Sequence, residues 1–157
     1  MKLVLWISDK IDYMVEQFCY LMLSVLVTIT FAQVVCRYVF NNALSWPEEL
    51  GSLLLVWLIF VGVTLVFKRK NHIVVDFLLK YLSDQYRHLI EFITIILSFI
   101  LAVLFVVKGF ELVKISFPTF SAALEISHSL WYLSVPVGGI IILIHLVSQF
   151  WHFFKDE

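Results

Sequence analysis

The chain has 157 residues, 62% of them hydrophobic and only 15% charged, with a formal net charge of −1 and a mean hydropathy of +0.98. A soluble domain carries about 25% charged and 45–50% apolar residues, and a fold this small has too much surface to hide the excess from water. The composition therefore excludes an ordinary soluble domain, and no basic field is large enough to hold nucleic acid.

The opening stretch MKLVLWISDKIDYMVEQ does not read as a cleaved signal peptide, because Asp9, Lys10, Asp12 and Glu16 interrupt it early. A helix needs about 20 mostly apolar residues to cross the hydrocarbon core. Four windows meet that need, at 13–35, 50–67, 89–112 and 130–150. Their apolar runs are continuous rather than alternating, unlike the strands of a membrane barrel. The expected fold is an all-α integral membrane protein of one domain, residues 1–157.

In the first span, Glu16 lies close enough to the entry to reach the headgroups. Cys19 and Cys36 form no CxxC and read as small buried apolar residues. They are 17 positions apart on one helix, about 25 Å at 1.5 Å per residue, so no disulfide can join them. The first connection reads RYVFNNALSWPEEL from residue 37. Asn41-Asn42 signals a turn, and Ser45-Trp46-Pro47-Glu48 has the form of a capping box. Pro47 suits a first helical turn, and Glu48 and Glu49 sit where a helix N-terminus favours negative charge. Caps alone do not explain why Arg37, Trp46 and both glutamates share one short segment. Arg37 is a candidate ion partner for either acid.

Trp57 lies in the middle of the second span, where its indole N–H wants a protein partner. The cluster Lys68-Arg69-Lys70 follows directly. Within the next connection, Ile73, Phe77 and Tyr81, and Val74, Leu78 and Leu82, recur at helical spacing with Asp76, Lys80, Asp84 and Arg87 off the stripe. That predicts an amphipathic helix over 72–86 on the membrane surface, in contact with lipid. Glu91 begins the third span near the interface. In the fourth, His145 is expected as a neutral imidazole in one interhelical hydrogen bond. Pro136 with Gly138-Gly139 predicts a kink and a close helix contact.

Eight Lys and Arg fall on the side of the termini and three, Arg37, Lys108 and Lys114, on the other. This places both termini in the cytoplasm. Deep carboxylate pairs, broken apolar segments and enzyme signatures such as HExxH or GxSxG are absent from the sequence. No enzyme activity, cofactor or metal site is expected.

The ordered set Arg37-Tyr38-Val39-Phe40-Asn41, Leu44-Ser45-Trp46, Glu48-Glu49, then Trp57, Phe60 and Gly62, then His72-Ile73-Val74-Val75-Asp76, with Pro136-Val137-Gly138 late in the chain, resembles the DctQ-like small membrane subunit of the tripartite ATP-independent periplasmic (TRAP) transporters. The likeness covers the whole chain in length and span count, and residues 37–76 are its specific part. Lys68-Arg69-Lys70 is more basic than the family pattern, and Pro47 occupies a variable position. The resemblance implies a non-catalytic scaffold subunit in the bacterial inner membrane. Its partners would be a large membrane subunit holding the substrate and ion sites and a periplasmic substrate-binding protein that delivers an organic acid. On that reading Arg37, Trp46, Glu48 and Glu49 form an external docking or bracing loop. Gly51, Trp57 and Gly62 meet the large subunit, and His72, Asp76, Phe77 and Tyr81 belong to the cytoplasmic interfacial helix. The competing readings are a dimeric, self-contained proton-coupled exporter using Glu16 or Glu91, and a membrane thiol oxidoreductase. The particular organic acid and the coupling ion are not written in this sequence.

Overall fold

A computed structural model of the protein describes residues 2–42, 44–70 and 84–153. Among them run five helices: α1 (Lys2–Tyr38), α2 (Trp46–Lys70), α3 (Asp84–Ser116), the single turn α4 (Ser129–Tyr132) and α5 (Ser134–Phe153). No strand forms among the described residues beyond an isolated antiparallel bridge between Phe120 and Ser127. Four stretches are long and apolar enough to cross a membrane: Ser8–Tyr38, Trp46–Phe67, Phe92–Ser116 and Ser129–Val147. The four expected spans are present, with longer ends than the apolar windows suggested. Charged residues such as Asp9 and Lys10 end the hydrophobic run without breaking the helix, since only Gly and Pro carry a large helix penalty. The expected interfacial helix, with His72, Asp76, Phe77 and Tyr81, and the Glu91 side chain lie outside the described residues.

The bundle is built around its last span. α5 packs against both α2 and α3, and α1 lies mainly along α2. The core is small: Ala102 of α3 meets Ile142 and Leu146 of α5, with Phe67 and Leu143 packed around them. Phe60 of α2 and Phe105 of α3 touch edge to face at 5.8 Å. The outer walls are apolar in turn, as at Leu21, Val27 and Phe31 on α1 and Leu97, Ile100 and Leu104 on α3. This is the pattern of helices solvated by lipid or by other membrane helices, where small residues let backbones approach.

Glycine sets the close seams. A Cβ on Gly138 would stand 2.7 Å from the backbone oxygen of Phe60 in α2. One on Gly139 would stand 3.0 Å from the Ala102 oxygen in α3, and one on Gly109 would stand 2.7 Å from Cδ of Pro136. The adjacent pair on α5 thus faces two different helices. The kink expected near Pro136 appears as the break at Leu133 between α4 and α5. Pro136 has no N–H to give the Tyr132 carbonyl four residues back, and its ring crowds that oxygen.

Several polar side chains of the helices bond within their own helix or to a neighbouring one. Fully buried Thr64 donates to the Val61 oxygen at 2.7 Å and fully buried Ser134 to the Trp131 oxygen at 2.7 Å. His145 is buried and its Nδ1 pairs with Ser8 Oγ at 3.0 Å, joining α5 to α1 as the interhelical reading required. Tyr20 donates to Glu16 Oε1 at 3.0 Å, one turn apart on α1.

Candidate functional site

The connections 39–45 and 117–128 lie at one end of the bundle, and the polar chemistry of the first connection converges there. α2 begins at Trp46, directly after Ser45, with Glu48 and Glu49 in its first turn as the capping pattern predicted. Pro47 is buried, Glu48 is exposed and Glu49 is half-buried.

Glu49 reaches across to the third connection. Its Oε1 accepts from the N–H of Ala122 at 3.1 Å and of Ala123 at 3.0 Å. Its Oε2 accepts from Ala123 at 3.1 Å and Leu124 at 2.9 Å. Three successive peptide N–H groups thus cradle one carboxylate. Hydrogen bonds to an ionised acceptor are roughly twice as strong as neutral ones. The donors converge because 119–128 folds back on itself. Ser121 N–H donates to the Ile126 oxygen and His128 N–H to the Thr119 oxygen, both at 2.9 Å. Glu125 turns the corner at φ 55°, a conformation that non-glycine residues seldom adopt. Ser127 Oγ closes the base by donating to the Phe117 oxygen at 2.8 Å.

Two further bonds tie the start of α2 to the same region. Trp131 Nε1 donates to Ser52 Oγ at 3.0 Å, and Ser52 Oγ donates to the Glu49 oxygen at 2.8 Å. Trp57 Nε1 donates to the Leu130 oxygen at 2.9 Å, and its ring meets Phe18 edge-on at 6.2 Å. The protein contact expected for the mid-span indole is present. Replacing Trp57 by Phe keeps an aromatic ring, smaller than the indole, and deletes the donor. We expect it to cost roughly 0.5–1.5 kcal/mol, read as a lowered midpoint of thermal unfolding in detergent. An unchanged midpoint would show that the bond contributes nothing.

The remaining expected site residues are dispersed. Arg37 closes the last turn of α1, where a cation suits the helix C-terminus. Its guanidinium stands 6.0 Å from the centre of the Tyr38 ring. Among the described residues it forms no ion pair with Glu48 or Glu49, a correction to the expected pairing. The physical reason is that Glu49 turns toward the three peptide donors instead. Trp46 is 41% exposed at the head of α2. Gly51 and Gly62 face α1, with Leu26 Cδ1 at 3.5 Å and Cys19 Sγ at 3.8 Å from where a Cβ would stand. Neither Cys19 nor Cys36 is disulfide-bonded. Reading the sequence missed Ser52 and the 122–124 cradle. Its one available signal was that residues 116–133, SFPTFSAALEISHSLWYL, carry a single acid and no Lys or Arg, too little charge for an aqueous loop.

Among the described residues no group of His, Cys, Asp and Glu could hold a metal ion. What the arrangement can do is mechanical: it fixes one connection against the head of a spanning helix.

Comparison with known proteins gives this geometry a context. Residues 26–156 match the family model of the tripartite ATP-independent periplasmic transporters, DctQ component. The chain is 26% identical over 155 residues to a Haemophilus influenzae protein named, provisionally, a TRAP transporter small permease protein, covering 96% of both chains. It is 27% identical over 140 residues to the sialic acid TRAP transporter small permease protein SiaQ of Vibrio cholerae, covering 86% of this chain and 78% of that one. It is also 28% identical over 121 residues to the sialic acid TRAP transporter permease protein SiaT of Haemophilus influenzae. There the match covers 76% of this chain but only 20% of the longer protein.

Proposed function

Because the chain belongs to the DctQ component family of the tripartite ATP-independent periplasmic transporters, we propose that it is the non-catalytic small membrane subunit of an ion-gradient-driven importer of organic acids. The observation that carries this reading is the filled centre of the bundle. α5 sets Gly138 against the Phe60 backbone and Gly139 against the Ala102 backbone, while Thr64 and Ser134 spend their hydroxyls on their own helices. Helices in such contact make a wall, and a substrate path belongs to a larger partner. In SiaT the matching stretch is a fifth of the chain, which supports a division of labour between a small scaffold and a large transport unit. Two of the relatives are named for sialic acid, an organic acid of the class proposed.

In this reading both termini are cytoplasmic, as the Lys and Arg bias favours. The end bearing 39–45 and 117–128 then faces the periplasm. Arg37, Trp46 and Glu48, all exposed, offer a surface to the substrate-binding protein, and Glu49 braces that surface from behind. Gly51, Trp57 and Gly62 keep α1 seated on α2 and so shape the wall that meets the large subunit.

The test is gentle solubilisation of native membranes and capture of this chain. A stoichiometric, much larger multi-span partner is expected. Recovery of the chain alone, or only as its own dimer with proton-coupled flux in liposomes, would overturn the reading in favour of a self-contained exporter.

A further inference from the structure

The third connection has the chemistry of a segment immersed in the bilayer surface. Phe117 is 67% and Phe120 65% exposed, and Glu125 is the sole ionised side chain between Ser116 and Tyr132. The last turns of α3 that lead into it also expose apolar side chains, at Leu112 and Ile115. Part of the backbone is paired inside the protein, as a segment at the edge of a poor hydrogen-bonding solvent needs. The N–H groups of Phe117, Thr119 and Ser121 donate to carbonyls within the chain, and those of Ala122, Ala123 and Leu124 donate to Glu49. Pro118 has no N–H to satisfy. The carbonyls of Ser116, Phe117, Thr119 and Ile126 are acceptors in the same network. Irregular backbone is tolerated at membrane depth only when its polar groups find partners inside the protein, and aromatic residues settle at the level of the headgroups.

We propose that the 117–128 hairpin lies in the boundary between headgroups and acyl chains, with Phe117 and Phe120 inserted among the lipids. It anchors its end of the bundle in the leaflet, and Glu125 points to water. The occupant is a lipid surface, because the two phenylalanines directly follow a membrane-spanning helix that exposes Leu112 and Ile115 at its end, and the patch carries no charge with which to select a protein. The inference rests on the four spans and not on the transport role.

Nitroxide labels placed by Phe117→Cys, Phe120→Cys and Glu125→Cys, in a Cys19→Ala, Cys36→Ala background, test it. The full chain would be assembled with its large subunit in nanodiscs of phosphatidylethanolamine and phosphatidylglycerol. Power saturation then compares collisions with oxygen, which enters lipid, and with a neutral nickel chelate, which stays in water. The labels at 117 and 120 are expected to favour oxygen over nickel severalfold, and the label at 125 to favour nickel. Nickel access at 117 and 120 equal to that at 125 would place the hairpin in water. Low access to both reagents would mean that a protein partner covers it. Either result overturns the proposal.

Discussion

Replacing Gly138 with alanine is expected to lower the stability of the folded bundle by up to about 2 kcal/mol, and replacing it with leucine to abolish recovery of monodisperse protein. The added Cβ would lie 2.7 Å from the backbone oxygen of Phe60 and 3.2 Å from its carbonyl carbon. A backbone carbonyl inside a helix cannot rotate aside, so α2 and α5 must separate. Overpacking of this kind costs about 1–3 kcal/mol. Alanine's better helix propensity offsets about 1 kcal/mol of it, which leaves a net loss. Gly62 supplies the control, since nothing stands closer than 3.8 Å to its added Cβ. Gly62→Ala should therefore be neutral or slightly stabilising. Trimming the side chain by Phe60→Ala should not rescue Gly138→Ala, because the obstacle is main chain. Thermal unfolding in detergent reads all of these. Equal midpoints for Gly138→Ala and wild type would show that the two helices do not lie this close.

Glu49→Gln is expected to release the 122–124 segment while leaving the helices folded. The carboxylate offers two acceptor oxygens to three N–H donors. The amide keeps one acceptor and turns a donor toward the other N–H groups. Amide exchange in a peptide covering 119–128 should then accelerate severalfold, with the protection of α2 and α5 unchanged. Reversal to Lys, which places a cation against three donors, should release the segment completely and reduce transport by the assembled complex. Glu48→Lys at the exposed neighbouring position is expected to leave exchange in 119–128 at wild-type rates. It would lower transport only through a weaker encounter with the substrate-binding protein. Unchanged protection in Glu49→Gln would remove Glu49 from its role as a brace. Wild-type transport in Glu48→Lys, with the complex intact, would remove Glu48 from the docking surface.

These two residues mark where the sequence was readable. The four spans, the protein contact of Trp57, the His145 bond and the break near Pro136 all follow from local rules: apolar length, an indole that wants an acceptor, a proline without an N–H. The significance of the pair at 48 and 49 was legible, but the partner of Glu49 was not. Its donors are peptide N–H groups of Ala122, Ala123 and Leu124, and a peptide group has no signature in a one-letter sequence. The hairpin that aims them was hidden too, because the residue at its corner is Glu125 at φ 55° and not a glycine. Arg37 looked like the natural counter-ion because like attracts unlike at short range in sequence. Two carboxylate oxygens facing three preorganised donors outweigh one exposed guanidinium, whose charge water already screens. Gly138 was recognised as a packing residue, but which backbone it touches depends on the arrangement of helices, which composition does not encode.

The clamp between Glu49 and the hairpin also imposes an order on biogenesis. The acceptor and its first donor are 73 residues apart in the chain, with the third span between them. At synthesis rates of roughly 5–20 residues per second, about 4–15 s pass before Ala122 exists. During that interval the head of α2 is unlatched, because the donors to Glu49 do not yet exist. The carboxylate then marks an unfinished molecule, and its capture by Ala122, Ala123 and Leu124 requires that the third span has already been made.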